Sequence, residues 1–129
     1  MKKAERIKSV RDLVVYRKAF DAAMEIFEIS KPFPKEELYS LTDQIRKSSR
    51  SVCTNLSEAW RKRRYKADFV NKLSDSGQEA CETQTWLEFA LACKYIEKQS
   101  YEKLFNEYEE IFAMLHSMTE KADSFCSAK

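Results

Sequence analysis

Ser100-Tyr101-Glu102-Lys103-Leu104-Phe105-Asn106-Glu107-Tyr108-Glu109-Glu110-Ile111-Phe112-Ala113-Met114-Leu115-His116-Ser117-Met118 decides the fold class. Leu104, Tyr108, Ile111, Leu115 and Met118, continued by Ala122 and Phe125, recur at alternating spacings of four and three. That pattern puts an apolar seam on one face of a helix, between flanks of Glu and Lys. Ser100 can accept the first free amides as an N-cap, so the spacing predicts a helix from Ser100 to about Asp123.

Working backwards, the same period runs through Phe69, Leu73, Ser76, Ala80, Thr83, Leu87 and Ala90, which predicts a third helix from Ala67 to Glu97. Gly77 sits in its middle, where it costs about 1 kcal/mol relative to Ala. A close helix crossing would explain it. The later part carries a second stripe, Trp86, Phe89, Cys93 and Ile96, on a different face. A helix apolar around much of its circumference needs cover on more than one side, so these four residues are candidates for a subunit interface; a large core that absorbs them is the alternative.

The first half gives two more helices. Asp12 to Ser30 carries Leu13, Tyr16, Phe20, Ala23 and Phe27, and Lys31-Pro32-Phe33-Pro34 stops it because Pro lacks a backbone donor. A second helix follows from Pro34 to about Lys62, with Leu38, Leu41, Ile45, Val52, Leu56 and Ala59 on its stripe. Ser48 and Ser49 interrupt that stripe and would let a neighbour approach closely. One Gly and two Pro in 129 residues leave little material for strands and irregular loops. The expected fold is all-α, an up-down-up-down antiparallel four-helix bundle over 12–125, with a basic tail at 1–11 and a short tail at 126–129.

No run of about 18 uncharged apolar residues exists to span a bilayer, and the basic N-terminus lacks the apolar stretch of a secretory signal. The chain reads as cytoplasmic. Cys53, Cys81, Cys93 and Cys126 lie in helical patterns and are expected to be reduced, buried small hydrophobes.

The residues supply few catalytic parts. His116 is the single histidine, and Ala113 three positions before it breaks the Glu-x-x-His spacing of a bundle metal site. Ser-His and Cys-His nucleophile schemes have no other imidazole to use. Gly77 alone makes no phosphate loop, so no metal or cofactor is expected. Asn55, Glu58, Glu79, Glu82 and Gln84 are polar where a bundle favours apolar residues. Glu79 and Glu82 share a face and could form an acid/base pair, but structural pairing to Arg46, Arg50 or Arg61 is the simpler expectation.

Charge gives the functional lead. Residues 1–66 hold 17 Lys/Arg against 9 Asp/Glu, and residues 67–129 hold 6 against 12. Arg46, Lys47 and Arg50 cluster on the second helix, and Arg61, Lys62, Arg63, Arg64 and Lys66 crowd its end. Such clusters can neutralise nucleic-acid phosphates without reading sequence; solvated helix surface is the plain alternative.

The runs Asp12-Leu13-Val14-Val15-Tyr16-Arg17-Lys18-Ala19, Phe33-Pro34-Lys35-Glu36-Glu37, Leu41-Thr42-Asp43-Gln44-Ile45-Arg46-Lys47-Ser48 and Ser51-Val52-Cys53-Thr54-Asn55-Leu56-Ser57-Glu58-Ala59 resemble the bacterial four helix bundle protein family, also called 23S rRNA intervening-sequence proteins. Gly77-Gln78-Glu79-Ala80-Cys81-Glu82-Thr83-Gln84-Thr85-Trp86-Leu87 is similar to that family's third-helix signature. Ala59 and Trp60 depart from the Gly and aromatic of many members, and Gln78 from the Ser that commonly follows the glycine. The resemblance covers about residues 10–120. It implies a ring-like homopentamer, and kinship with the accessory protein of diversity-generating retroelements, which binds nucleic acid and a reverse transcriptase through a basic surface. The expected function is therefore that of a non-catalytic, oligomeric RNA- or DNA-binding accessory factor, with a protein scaffold or adaptor as the alternative and a cryptic enzyme using Glu79 and Glu82 as a third reading.

Overall fold

The computed structural model describes residues 7–126, and among them regular structure is helical throughout. Four main helices enclose one apolar core: α1 (Val14–Ser30), α2 (Leu41–Arg61), α3 (Lys66–Ala92) and α4 (Lys98–Glu120), followed by a short α5 (Ala122–Phe125).

α3 and α4 form as their stripes predict. Phe69, Leu73, Ser76, Ala80, Thr83, Leu87 and Ala90 are all buried, as are Leu104, Tyr108, Ile111, Leu115 and Met118. Their ends differ from expectation. α3 stops at Ala92 rather than Glu97, because Lys94 turns to a φ of 64° and the Tyr95 amide donates back to the Ala90 carbonyl at 2.8 Å. This pairing closes a helix in the way a C-terminal glycine usually does, but the residue is lysine, so no stop signal is visible in the sequence. Ile96 therefore lies beyond α3. Ser100 falls inside the first turn of α4, whose boundary residue is Glu97. α4 breaks at Lys121, and α5 folds Phe125 against Trp60 and Phe69, at ring centroid distances of 6.3 and 6.0 Å.

α1 begins at Val14, after a 3-10 turn over Val10–Asp12 that the sequence reading had placed at the edge of a tail. The 127–129 stretch of the expected C-terminal tail and residues 1–6 lie outside the described residues. The buried face of α1 is Val15, Ala19, Ala22, Ala23, Ile26 and Ser30. Phe20 instead is 48% exposed, and Tyr16 and Phe27 are half-buried. This helix carries two overlapping apolar stripes, and packing selects the one with small alanines, which lets its backbone approach α2 and α4. α2 starts at Leu41 rather than Pro34, leaving Leu38 and Tyr39 exposed. The Glu37 carboxylate accepts from the Ser40 hydroxyl at 2.7 Å, the Leu41 amide at 3.3 Å and the Tyr95 hydroxyl at 2.9 Å. It thereby caps the new helix from outside and ties the α1–α2 loop to the end of α3. These bonds, the Ser40 one first, hold the Glu37 carboxyl below its ordinary range, and the bond to Glu37 is the first cause pushing the Tyr95 hydroxyl up to about 12.

α2 and α3 pack in antiparallel register. Ser48 meets Thr83 at 2.7 Å, Ser76 donates to the Val52 carbonyl at 2.8 Å, and Lys72 reaches Asn55, so numbers rise along α2 as they fall along α3. Ser49 is buried with its hydroxyl bonded to the Arg46 carbonyl of its own helix, and Ser48 and Ser76 are small residues at this seam. Gly77 is not one of them. A Cβ there would meet only the Leu115 Cδ1 at an ordinary 3.9 Å, which overturns the close-crossing explanation. Of the four free cysteines, Cys53 alone is buried, its thiol pushed up to about 11 by that burial; Cys81 and Cys93 are exposed and Cys126 is half-buried, because each lies off the core stripe of its helix or beyond the helix end.

Candidate nucleic-acid interface

The eight cations singled out in the sequence divide into two groups. Fifteen residues of helix separate Arg46 from Arg61, about 22 Å of axial rise. Arg46 is half-buried and ties α2 to the end of α1: its Nε donates to the Ser30 hydroxyl at 2.8 Å, and its guanidinium lies 4.9 Å from the Phe27 ring centroid. Arg50 lies over the same ring at 5.8 Å, and Lys47 is exposed. Arg46 thus acts as a structural clasp between α2 and the end of α1.

The second group forms a concave site. The end of α2 and the turn after it supply Ser57, Trp60, Arg61 and Arg63; the N-terminal turn supplies Lys8, Ser9, Val10 and Arg11. They enclose about 400 Å³. Lys8 and Arg11 are absent from the cations that sequence clustering singles out, because they fall in the 1–11 stretch expected to be a tail. A signal was present in Ser9-Val10-Arg11-Asp12, a capping box. The Ser9 hydroxyl accepts the Arg11 amide at 3.1 Å, and the Asp12 carboxylate accepts the amides of Lys8 and Ser9 at 2.9 and 3.2 Å. Those two backbone bonds are the leading causes holding the Asp12 carboxyl below its usual value. Val10 and Leu13 anchor the turn in the core.

Arg63 is immobilised at the cavity wall. Its Nε donates to the Trp60 carbonyl at 2.8 Å, and its guanidinium carbon stands 3.7 Å from the Trp60 ring centroid. Arg61, Lys62 and Arg64 are exposed, with Arg64 over Tyr65 at 5.6 Å. None of Lys8, Arg11, Arg61, Lys62, Arg63 and Arg64 joins an ion pair among the described residues. Lys66 does: it pairs with Asp123 at 2.9 Å, and that bond raises its pKa.

The other polar positions settle differently. Glu58 and Asn55 share Lys72, at 2.7 and 3.3 Å, which draws the Glu58 carboxyl down. The expected arginine partners are elsewhere. Gln84 is buried and bridges to α4 through the Phe105 carbonyl and the Glu109 carboxylate. Glu79 and Glu82 join no ion pair among the described residues, and Glu79 is shifted up by desolvation and then by the charge of Glu82. His116 is exposed, 3.9 Å from Glu120. On α3, Phe89 is 54% exposed and stacks obliquely on the half-buried Trp86. Cys93, just past the end of α3, is exposed, and Ile96 packs against the core. Among the described residues no helix is long and apolar enough to cross a membrane, and no group of three or more His, Cys, Asp or Glu is placed to hold a metal ion.

No curated protein matches the chain. Among solved structures, a protein of unknown function from the S23 ribosomal protein family of Bacteroides thetaiotaomicron is 31% identical, with a TM-score of 0.72 over 82% of this chain and 98% of the other. The family described as 23S rRNA-intervening sequence protein matches residues 11–117, a span that holds all four main helices up to the last turn of α4. The chain belongs to the 23S rRNA-intervening sequence protein family.

Proposed function

We propose that this protein is a non-catalytic, self-assembling accessory factor that grips the phosphate backbone of RNA or DNA with one end of its helical body. One observation carries the reading: two segments far apart in sequence converge so that Lys8, Arg11, Arg61 and Arg63 surround a single concavity, with Lys62 and Arg64 beside it. Like charges are brought together only at a cost in free energy, and a polyanion would relieve it. Lys47 and Arg50 extend the basic surface along α2; Lys66 contributes less because Asp123 already neutralises it.

Self-assembly belongs to the same proposal. An up-down-up-down bundle repeated in a ring, a homopentamer as the family resemblance implies, would set several basic ends side by side, and Phe89, exposed and stacked on Trp86, is one anchor for the contact. The scaffold reading, with a reverse transcriptase or another protein as partner, is favoured by the apolar groove between α3 and α4, where Val70, Gly77, Phe112 and Leu115 line an open surface.

The test is binding of a structured RNA and a DNA duplex across a salt series. The Arg61→Ala/Lys62→Ala/Arg64→Ala variant spares Arg63, whose guanidinium also covers Trp60. Affinity is expected to fall at least tenfold for each nucleic acid in this variant; unchanged affinity, or no binding at low salt by the parent, sinks the proposal.

A further inference from the structure

We infer that the cavity between the N-terminal turn and the end of α2 takes one unpaired nucleotide of a bound strand, its phosphate among Lys8, Arg11 and Arg61 and its base against the guanidinium of Arg63. This deepens the proposed function and rests on nucleic acid binding at this end of the molecule.

Size is the first ground. A cavity of about 400 Å³ is in the range of small-ligand sites, whereas phosphates on the outside of a duplex need only a flat basic surface. A paired nucleotide has its base stacked on both sides and cannot enter. The second ground is Arg63. Exposed arginines sample many rotamers, yet this one is fixed by its bond to the Trp60 carbonyl and by the indole beneath it. A guanidinium so held is a flat, cationic platform on which a base can stack without further loss of side-chain freedom. Trp60 is 9% exposed, so the base meets Arg63 and not the indole itself.

The charges around the cavity agree with a phosphate. Lys8, Arg11 and Arg61 reach it from two elements, and the Ser57 hydroxyl adds a neutral donor. Asp12, on the N-terminal turn, spends its carboxylate on the amides of Lys8 and Ser9. Glu58 on α2 is paired to Lys72, and Asp123 on α5 to Lys66.

The full-length chain can be titrated, at one salt concentration, with a short oligouridine strand, the same strand annealed to its complement, uridine 5′-monophosphate and inorganic phosphate. Tryptophan emission and anisotropy of a labelled strand are followed together. The single strand is expected to bind about fivefold or more tighter than the duplex, as base stacking implies, and to change the tryptophan emission, which the duplex leaves alone. The monophosphate should compete for that signal and inorganic phosphate should not. Trp60→Phe should abolish the emission change, since Trp86 lies on α3 away from the cavity. Arg63→Lys keeps the charge but loses the planar platform; the ratio of single-strand to duplex affinity should fall to about one, with unchanged circular dichroism as the folding check. Arg61→Ala should weaken both ligands. Equal affinity for single strand and duplex, an emission response that survives Trp60→Phe, or competition by inorganic phosphate as effective as the monophosphate overturns the inference while leaving phosphate-backbone binding intact. Binding of none of these ligands overturns both.

Discussion

Asp12 shows how a single acidic residue can serve a basic site. Its carboxylate fixes the amides of Lys8 and Ser9, and so sets where the Lys8 and Arg11 side chains leave the backbone. Its folded pKa is depressed below the ordinary 3.8. The sign follows: the stabilisation is present above that ordinary value and is lost as pH falls through the depressed one. Hydrogen exchange at the Arg11 and Leu13 amides should therefore accelerate as pH drops below about 3.8, beyond the intrinsic pH effect. Protection that is flat through that range would show that the box does not hold the turn. Asp12→Ala gives a second test with opposed signs. Coulomb attraction alone says that removing a negative charge beside a basic cavity tightens polyanion binding. Positioning says the reverse, because Lys8 and Arg11 lose their fixed origin. Weaker nucleic-acid binding, by a few-fold, is the expected result in equilibrium titrations; tighter binding would show that charge, not placement, governs the site.

At the scale of elements, two substitutions test why the helices begin and end where they do. Lys94 closes α3 at a φ of 64°, a conformation that costs a side-chain-bearing residue about 1 kcal/mol relative to Gly. Lys94→Gly should therefore stabilise the fold by about 1 kcal/mol, a rise of roughly 3–5 °C in Tm. Gly77→Ala should add about 1 kcal/mol more, since the new methyl meets only Leu115 at ordinary contact. Thermal unfolding checks both, and a lowered Tm in either variant would contradict the corresponding geometry. These two positions also show what the sequence could reveal. α3 and α4 were legible because their apolar residues fall on one face with polar residues opposite, and burial follows that division. α1 was legible in its span, to its end at Ser30, but not in its buried face, because its two apolar stripes compete and the smaller side chains win through closer packing. The end of α3 and the start of α2 were hidden because a lysine occupies the position of a glycine, and a side chain from outside the helix, Glu37, supplies the cap. Of the candidate site, the run Arg61 to Arg64 is visible in the sequence as a cluster of charge. Its other wall depended on a turn joining the body, and Arg46 looked like a ligand-binding cation until its bond to Ser30 placed it in the frame.

Across the whole molecule, charge is sorted by packing as well as by sequence. The seams consume charges in pairs: Lys18 with Glu110 at 2.7 Å, Lys103 with Glu25 at 2.8 Å, Lys72 with Glu58 at 2.7 Å. Exposed pairs of this kind add little stability, ~0–1 kcal/mol each, but they cancel charge along the body. Lys8, Arg11 and Arg61 to Arg64 gather at one end with no ion pair among the described residues, which makes the salt dependence of the proposed binding a measure of assembly. Each phosphate neutralised contributes about −0.9 to the slope of log K against log salt for a duplex, so the six cations of this end, together with Lys47 and Arg50 on α2 and Lys2, Lys3 and Arg6 earlier in the sequence, limit the slope of one chain to about −10. A steeper slope requires basic ends from more than one copy. Light scattering of the parent should give a mass well above the 15.2 kDa of one chain, and the duplex slope should exceed the single-chain limit. Phe89→Glu puts a charge on the exposed aromatic of α3 and should return both quantities to single-chain values, with helicity preserved. A parent that scatters as one chain, or a variant that keeps the mass and slope of the parent, would remove assembly through Phe89 and leave binding to be explained by one basic end alone.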